Sequence, residues 1–552
     1  MSMVVELLLS LVTIFTSVKG SCIKGCVCNE QPLTVFCNEG DMETIPMNVP
    51  AYAQEVSFAG NKIKTINSRI FYKGLRITKL DLSSNALTDI ADDAFLNVRH
   101  TLNTLNLRGN QLTDVPKRSL SYLPLLHNFF LANNNIERLL PRTFESMVNL
   151  RHLDLSGNWL EQFSQNAFVG LHQLTHLNLS GNNIAALSAS SLRNLNSVIV
   201  LDLSDNNIAK IHQNALTHTS FLEILNISRN KLEEIQIGHS GETGRLLILD
   251  LSMNKFSSIP TGSLSGMKQL DELYLQKNKI RNIEKGAFES MTKLKTLILS
   301  KNVFASIPES AAWKGLKSLQ KISLAGNVIH SLNDDLFGTK HKPDNSEMQA
   351  ITNIDLSKNN ISEIGSDVFS AMVVLQTLNL ERNYITRIPG DAFSFNPILE
   401  ELYLGSNHLQ MPNFSWFASA IHPSSQKLTN FSSFLQNNPW TCNCKLYQES
   451  TDFFNFENAK EKKLPSLDGV ICFEPTWLRG RSFSWYIRSN KDHCDRTLLI
   501  MLRTLLPLLT FLLIIFLFIK KMPQFKLFRT LPSEQVRPKR IRLDSYKRDK
   551  IL

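Results

Sequence analysis

Apolar and polar residues alternate with a long, regular period over most of this 552-residue chain. Each period reads Leu-x-x-Leu-x-Leu-x-x-Asn, with other apolar residues substituting for some leucines. The asparagine stands at 61, 85, 110, 134, 158, 182, 206, 230, 254, 278, 302, 327, 359, 383 and 407. The steps are 24 residues except for two of 25 and one of 32. Fifteen units in phase predict a repeat solenoid, in which each unit packs only against its neighbours.

The spacing predicts what each unit contributes. The leucines eight, five and three positions before each asparagine belong to a short strand and its approach, and stacked units bury them in one continuous core. The asparagine side chain can bond backbone groups that turn inward beside the strand. A second apolar spine runs ten residues after the asparagine: Phe71, Phe95, Phe144, Phe168, Phe288, Phe337, Phe369 and Phe393, with Leu120, Leu192, Leu216 and Leu264 in other units and Ser240 breaking it. Most aromatic residues are therefore expected in the core.

The eight cysteines fall into two groups of four, one at each end of the repeats. They are Cys22, Cys26, Cys28 and Cys37, then Cys442, Cys444, Cys472 and Cys494. An even count divided in this way predicts disulfides formed in an oxidising compartment. The competing interpretation is a zinc site, since four clustered cysteines can also bind that metal.

The repeat and the cysteine spacing resemble the extracellular leucine-rich-repeat family that includes Slit and the Toll receptor ectodomains, over about residues 22–494. Cys22-x3-Cys26-x-Cys28-x8-Cys37 is similar to the N-terminal cap of that family, and Asn438-Pro-Trp-Thr-Cys442-Asn-Cys444 is similar to its C-terminal cap. The resemblance implies the pairs Cys22–Cys28, Cys26–Cys37, Cys442–Cys472 and Cys444–Cys494. It also implies an α/β horseshoe with a parallel sheet on its concave face.

Two further apolar stretches and the charge distribution predict the organisation of the chain. Leu7 to Val18 has the length of a signal-peptide core. Leu498 to Ile519 would make a helix of roughly 33 Å, enough to cross a bilayer. Residues 520–552 hold 11 Lys/Arg against 3 Asp/Glu, which accounts for most of the net charge of +10.

We therefore expect a plasma-membrane protein with one span and an extracellular N-terminus, and a basic tail lying near anionic lipid. The predicted boundaries are signal peptide 1–20, N-terminal cap 21–50, about 15 repeats over 51–435, C-terminal cap 436–496, transmembrane helix 498–519 and cytoplasmic tail 520–552. The segment Met411 to Leu435 lacks clean leucine spacing, which leaves open whether it forms a sixteenth unit.

Candidate binding residues lie in strand positions that should face away from the core. Six positions before the asparagine, the residue is polar in twelve units and apolar in three consecutive ones: Val200, Ile224 and Ile248. Four positions before it, Phe130, Tyr274 and Tyr403 depart from a recurring Asp or Asn that belongs to the repeat pattern. An apolar stripe on a polar face is typical of an interaction surface. The alternative is that these residues suit a β-strand and meet no partner.

Other features of the same face leave its role open. His152 and His176 stand on neighbouring strands and offer either a pH-sensitive pair or two solvated bystanders. Five N-glycosylation sequons occur, at Asn178, Asn226, Asn360, Asn413 and Asn430. Glycans at Asn178 and Asn226 would cover the face beside the stripe and would move a partner toward either end. The charged insertion from Gly338 to Met348 is expected to be a surface loop.

The sequence contains no phosphate-binding glycine loop, nucleophile elbow or metal-binding helix motif, so we expect no enzyme, cofactor or metal. A tail of 33 residues is too short for a folded signalling domain. Two functions remain. One is a cell-surface recognition or adhesion receptor that binds a protein ligand or co-receptor, with a homodimer as one arrangement. The other is an innate-immune pattern receptor or decoy. A nucleic-acid ligand is not expected.

Overall fold

The computed structural model describes residues 22–235, 237, 244–332, 348–417, 432–448, 470–489 and 504–517. The chain divides into two compact units, Met1–Tyr486 and Ile487–Leu552. The predicted signal peptide, Phe337, Ser240, most of the 338–348 insertion, Asn430, Cys494 and the basic tail lie outside the described residues.

One parallel sheet runs through the first unit, with one three-residue strand from each repeat. Each strand pairs with the next in exact register, so that Leu153 lies beside Leu177 and Leu177 beside Leu201. The strands are Glu55–Ser57, Lys79–Asp81, Thr104–Asn106, Asn128–Phe130, His152–Asp154, His176–Asn178, Val200–Asp202, Ile224–Asn226, Ile248–Asp250, Glu272–Tyr274, Thr296–Ile298, Lys321–Ser323, Asn353–Asp355, Thr377–Asn379, Glu401–Tyr403 and Ser432–Phe434. The predicted parallel-sheet solenoid is confirmed.

The N-terminal edge of the sheet is closed by an antiparallel hairpin. Val27–Glu30 pairs with Leu33–Phe36, which in turn pairs in parallel with Glu55–Ser57. Disulfides join Cys22 to Cys28 and Cys26 to Cys37 in this hairpin. Sulfur atoms joined in pairs are not available as thiolate ligands, so a zinc site on these four cysteines is excluded.

The return segments carry shorter elements. Two-residue strands pair between some units: Thr65–Ile66, Asp89–Ile90, Arg138–Leu139, Gln162–Phe163, Ala186–Leu187, Lys210–Ile211, Ser258–Ile259, Asn282–Ile283, Ser331–Leu332 and Glu363–Ile364. The helical turns are Leu96–Val98, Lys117–Leu120, Ser310–Trp313, Phe414–Phe417, Thr476–Leu478 and Phe483–Ser489. Trp440–Thr441 pairs with Cys472–Glu474 beside the disulfide Cys442–Cys472.

Leucines and the phenylalanine spine fill the space between the sheet and the return segments. The rings of Phe71 and Phe95 stack with centroids 6.3 Å apart, and those of Phe369 and Phe393 at 6.0 Å. Trp313 continues the spine in its unit, 6.5 Å from Phe288. These side chains are almost completely buried. Stacked units thus bury a core that no single unit could close.

The repeat asparagines form a ladder along the solenoid. In the unit of Asn206, Oδ1 accepts a hydrogen bond from the Ile184 backbone N–H, and Nδ2 donates to the carbonyl oxygens of Leu179 and Leu203. Asn438 makes the same bonds to Leu404, Leu435 and Leu409. The strand Ser432–Phe434 and Asn438 therefore form a sixteenth unit, which settles the question left open by the irregular spacing.

The residue just before each ladder asparagine adopts a left-handed conformation. Its φ is 54° to 58° where it is not glycine and 63° to 68° where it is glycine. The N–H of this residue donates to the next coil, as Lys277 does to the Ser300 carbonyl. A left-handed backbone costs an ordinary L-residue roughly 1–2 kcal/mol and costs glycine little. The fold itself therefore favours glycine at this position.

The ends of the described chain bear on two further predictions. Cys444 is also disulfide-bonded, and its expected partner Cys494 lies outside the described residues. Within the predicted span 498–519, the described residues 504–517 are helical. In the described part of the chain, no helix combines the length and the apolar character that crossing a membrane requires.

Candidate protein-binding face

The open face of the sheet consists of the side chains six, four and two positions before each ladder asparagine. On it, Val200, Ile224 and Ile248 lie side by side, because Val200 pairs with Ile224 and Ile224 with Ile248. All three side chains are half-buried. Their strands are direct neighbours, which lie roughly 4.8 Å apart. The stripe predicted from the sequence is therefore contiguous.

The fold does not require apolar residues at these positions. The neighbouring leucines Leu201, Leu225 and Leu249 point to the other side of the sheet and are completely buried. In adjoining units the same column holds His176 and Glu272 with the same strand geometry. The three side chains thus add apolar surface that the core does not use.

The column four positions before the asparagine has a structural explanation. Its Asp or Asn side chain accepts a hydrogen bond from the backbone N–H two residues on, as in Asp202 with Ser204 at 2.8 Å and Asn379 with Glu381 at 3.0 Å. The same bond occurs at Asp81, Asn106, Asp154, Asn178, Asn226, Asp250 and Asp355. These local turns stabilise the end of each strand.

Two consecutive units give up that bond. Tyr274 follows Asp250 in register, and Ile298 follows Tyr274. Both side chains are half-buried on the open face. Ile248 pairs with Glu272, two residues before Tyr274 on the same strand and face. The apolar stripe consequently continues diagonally onto Tyr274 and Ile298. We call Val200, Ile224, Ile248, Tyr274 and Ile298 the apolar path.

Glu272 fixes the position of the tyrosine within this path. The Tyr274 hydroxyl donates to Glu272 Oε2 at 2.7 Å. This hydrogen bond, followed by burial and the negative charge of Glu272, raises the pKa of Tyr274 to about 12. The hydroxyl therefore remains the donor to Glu272 well above neutral pH. Ile298 was missed as a candidate, although its departure from Asp or Asn in that column was the available signal.

Phe130 and Tyr403 lie apart from the apolar path. Phe130 pairs with Asn106 and Asp154, several strands before Val200. Tyr403 lies near the C-terminal end of the sheet, where its ring stacks on Phe434 with centroids 4.3 Å apart and an interplanar angle of 2°. The structure therefore separates these two predicted residues from Tyr274. Phe130, Tyr274 and Tyr403 therefore do not form one binding site.

The two histidines directly precede the path. The rings of His152 and His176 stack with centroids 4.5 Å apart, and His176 pairs with Val200. Burial, then the proximity of His176 and Arg151, lowers the pKa of His152. His152 Nδ1 is buried without a hydrogen-bond partner. The lowered pKa favours the neutral ring of His152, which extends the less polar part of the face.

Two sequons lie on this face. The Oδ1 atoms of Asn178 and Asn226 accept the N–H of Ser180 and Ser228, each at 3.0 Å, and both side chains remain half-exposed. Asn226 shares a strand and a face with Ile224. Asn360 and Asn413 are exposed on other surfaces. A glycan at Asn226 would therefore compete with a partner for the centre of the path.

One flank of the path carries an aromatic group that the sequence patterns did not indicate. Phe221 is 47% exposed, and the Arg245 guanidinium lies 4.4 Å from the centre of its ring. Leu247 beside it is 37% exposed. These residues precede the strands of Ile224 and Ile248. Phe221 and Leu247 thus add exposed apolar surface just before these two strands.

Comparison with known families agrees with the architecture. The model of the leucine-rich repeat matches in overlapping segments over residues 75–329 and 349–409, which is more than half of the chain. The chain belongs to the leucine-rich-repeat family.

Similar sequences cover only part of this repeat protein. Leucine-rich repeat-containing protein 3B of Danio rerio is 33% identical over 129 residues, which are 22% of this chain and 49% of that protein. Osteomodulin of Bos taurus is 29% identical over 133 residues, 23% of this chain and 30% of that protein. The leucine-rich-repeat chain thus spans at most about half the length of these relatives.

Solved structures show the same fold. The Drosophila Toll–Spatzle complex aligns over 81% of this chain and 70% of that chain, with a TM-score of 0.58 and 18% identity. The plant peptide hormone receptor RGFR1 in complex with RGF2 aligns over 75% and 63%, with a TM-score of 0.52 and 22% identity. At these identities the likeness concerns the fold alone.

Proposed function

We propose that this leucine-rich-repeat protein is a cell-surface recognition receptor that binds a protein through the open face of its sheet. The observation that carries the proposal is the apolar path. Five half-buried apolar side chains lie together across five successive strands, in columns that are mostly polar elsewhere. Contiguous apolar surface rimmed by polar residues is typical of protein interfaces.

Two further observations support this role. The disulfides at both ends of the repeats are typical of proteins that mature in an oxidising compartment. Two proteins of the same fold are described in complexes with a protein or peptide, namely Toll with Spatzle and RGFR1 with RGF2. The single membrane span, the extracellular N-terminus and the lipid contact of the basic tail belong to the proposal.

The chain ending at residue 496 is the reagent for the test, because it contains the first compact unit and all eight cysteines. It should be screened against a library of secreted and cell-surface proteins. For a partner on the apolar path, Ile224→Asp should weaken binding at least about 30-fold, since central anchors commonly cost 2 kcal/mol or more when lost. The matched control is Val303→Asp, because Val303 is an exposed apolar residue that lies off the path.

Glycan occupancy at Asn226 should be measured by mass spectrometry on the same secreted protein. A site that is fully glycosylated, together with a partner that binds Ile224→Asp normally, would place the binding site elsewhere. Tight binding of microbial products that Ile224→Asp does not affect would favour a pattern-recognition receptor instead.

A further inference from the structure

The residue before the ladder asparagine changes its chemistry along the chain. In the first seven units it is Gly60, Ser84, Gly109, Asn133, Gly157, Gly181 and Asp205. In the next four it is Arg229, Met253, Lys277 and Lys301. All of them share the left-handed backbone that favours glycine. Long basic side chains therefore occupy three of these four coils against a local conformational preference.

The backbone gives no reason for that choice. The N–H groups of Arg229, Lys277 and Lys301 donate to carbonyl oxygens of the next coil at 2.7–2.9 Å. Gly109 and Gly157 make the same bond with no side chain at all. The three basic side chains are exposed. The backbone hydrogen bond therefore does not explain the three positive charges, which face solvent.

A second basic row runs beside the first. The residue after the asparagine is Lys231, Lys255 and Lys279 in three successive units, and all three are exposed. Their N–H groups donate to the preceding coil, which stacks them one above another. We call Arg229, Lys231, Lys255, Lys277, Lys279 and Lys301 the basic edge. Three coil steps of about 4.8 Å make it roughly 14 Å long.

Few acidic groups offset this charge. Glu233 lies 3.8 Å from Lys255. Among the described residues, no carboxylate lies within 4.0 Å of the basic groups of the other five members. The residues two positions before the asparagine in these units are Ser228, Ser252, Gln276 and Ser300, which are neutral. Asp205 precedes Arg229 in the first row, and Glu233 and Glu234 line one surface pocket with Lys231 and Lys255. The least compensated part of the basic edge is therefore formed by Lys277, Lys279 and Lys301.

We infer that the basic edge binds a linear sulfated glycan lying along the axis of the repeats. The inference rests on the proposed extracellular location, where such glycans are the linear polyanions that a protein meets. Regularly spaced cations match the repeated sulfate groups of such a chain. A single-stranded nucleic acid fits less well, because Met253 and Val303 stand where stacking aromatics would be needed.

Lys358 and Arg382 continue the first row beyond Gly326, but the exposed sequon Asn360 follows Lys358 by two residues. A glycan there would interrupt a longer site. The inference is therefore confined to the six residues of the basic edge.

The test uses heparin as the probe and the chain ending at residue 496, which leaves out the basic segment 520–552. The triple variant Lys277→Gln, Lys279→Gln and Lys301→Gln should raise the Kd for heparin at least about 10-fold at 0.15 M salt. The slope of log K against log salt should fall by about 2 to 3. The matched control removes three exposed lysines of the return segments: Lys268→Gln, Lys285→Gln and Lys317→Gln. That control should bind heparin almost as the unaltered chain does.

A second pair of variants separates binding from folding. Lys277→Gly with Lys301→Gly should weaken heparin binding without lowering the Tm, because glycine relieves the left-handed backbone. Met253→Gly has the same backbone effect within the edge and should leave heparin binding unchanged. Equal loss of binding in the return-segment control would overturn the inference. So would binding to a DNA oligomer as tight as to heparin, or unchanged binding after removal of the sulfates.

The outcome is separable from that of the proposed receptor function. Ile224→Asp should leave heparin binding intact, and the three lysine substitutions should leave a protein bound to the apolar path in place. Failure of either experiment therefore does not determine the other.

Discussion

Asn206 accepts a hydrogen bond from the backbone N–H of Ile184 in the preceding coil, at 3.0 Å from Oδ1 to N. Its Nδ2 donates to Leu179, Leu203 and Ser204 carbonyl oxygens at 3.0–3.1 Å. One side chain therefore satisfies polar backbone groups of two coils where the chain turns inward. The repeat asparagine is explained by this role, with no contribution to a binding site.

Replacing Asn206 with leucine should lower the free energy of unfolding by about 1–3 kcal/mol, because buried backbone groups would lose their partners. Asn207→Leu is the matched control, since the side chain of Asn207 takes no part in the ladder; its effect should stay below about 0.5 kcal/mol. Thermal and denaturant unfolding of the secreted chain would measure both. An unaltered Tm for Asn206→Leu would contradict the bonding role.

Peptide mapping under non-reducing conditions should find Cys444 joined to Cys494. The motivation is that Cys444 is disulfide-bonded and that the other three pairs are the ones implied by the cap motifs. Each cap would then be closed within itself. A crosslink between the N-terminal and C-terminal groups, or a free thiol titrated in the folded protein, would refute this arrangement.

The repeat period predicted most of the fold because one short sequence pattern specifies each coil. The leucine positions, the asparagine ladder and the Phe71–Phe95 spine all follow from a single unit. The sequence did not predict the sixteenth unit, since Asn438 was assigned only to the cap motif. It also did not predict Trp313 in the spine, because that residue stands eleven positions after its asparagine and enters from the short helix Ser310–Trp313.

The candidate site was predicted in part. Val200, Ile224 and Ile248 are adjacent because their strands pair in register, as the repeat period predicted. Ile298 was missed although it departs from the Asp or Asn of its column, and the structure adds the reason for that Asp or Asn, which is a hydrogen bond to the backbone N–H two residues on. The basic edge was not predicted, because the sequence pattern does not show which basic residues have a left-handed backbone.

The stability of the folded chain should fall as the pH drops below about 6.5. Burial and the neighbouring His176 hold the pKa of folded His152 below its unfolded value. The unfolded chain therefore binds the proton first, so the stability contributed above pH 6.5 is lost as the pH falls through the folded pKa. His152→Asn should reduce this loss, since Asn128 occupies the paired position on the preceding strand.

Thermal melts between pH 7.5 and 5.0 would check the histidine prediction. His172→Asn is the control, because His172 is exposed on a return segment and should leave the pH dependence as it is in the unaltered chain. A pH profile of the His152→Asn protein that parallels that of the unaltered chain would show that the His152 ring does not contribute.

Ile298→Asn should separate binding from folding more cleanly than any charge substitution on the path. Asparagine at this position can accept the Ser300 N–H, as Asn226 accepts that of Ser228 at 3.0 Å and Asn379 that of Glu381. The Tm should therefore stay the same or rise slightly, because the backbone N–H of Ser300 acquires this hydrogen-bond acceptor. A protein that binds across the apolar path would lose contact with one isoleucine, about 1–2 kcal/mol or roughly 5- to 30-fold in Kd.

Asn379→Ile is the reciprocal control: it removes the turn bond away from the path and should lower the Tm without changing affinity. If Ile298→Asn binds as well as the unaltered chain while Ile224→Asp does not, the binding surface ends before Ile298.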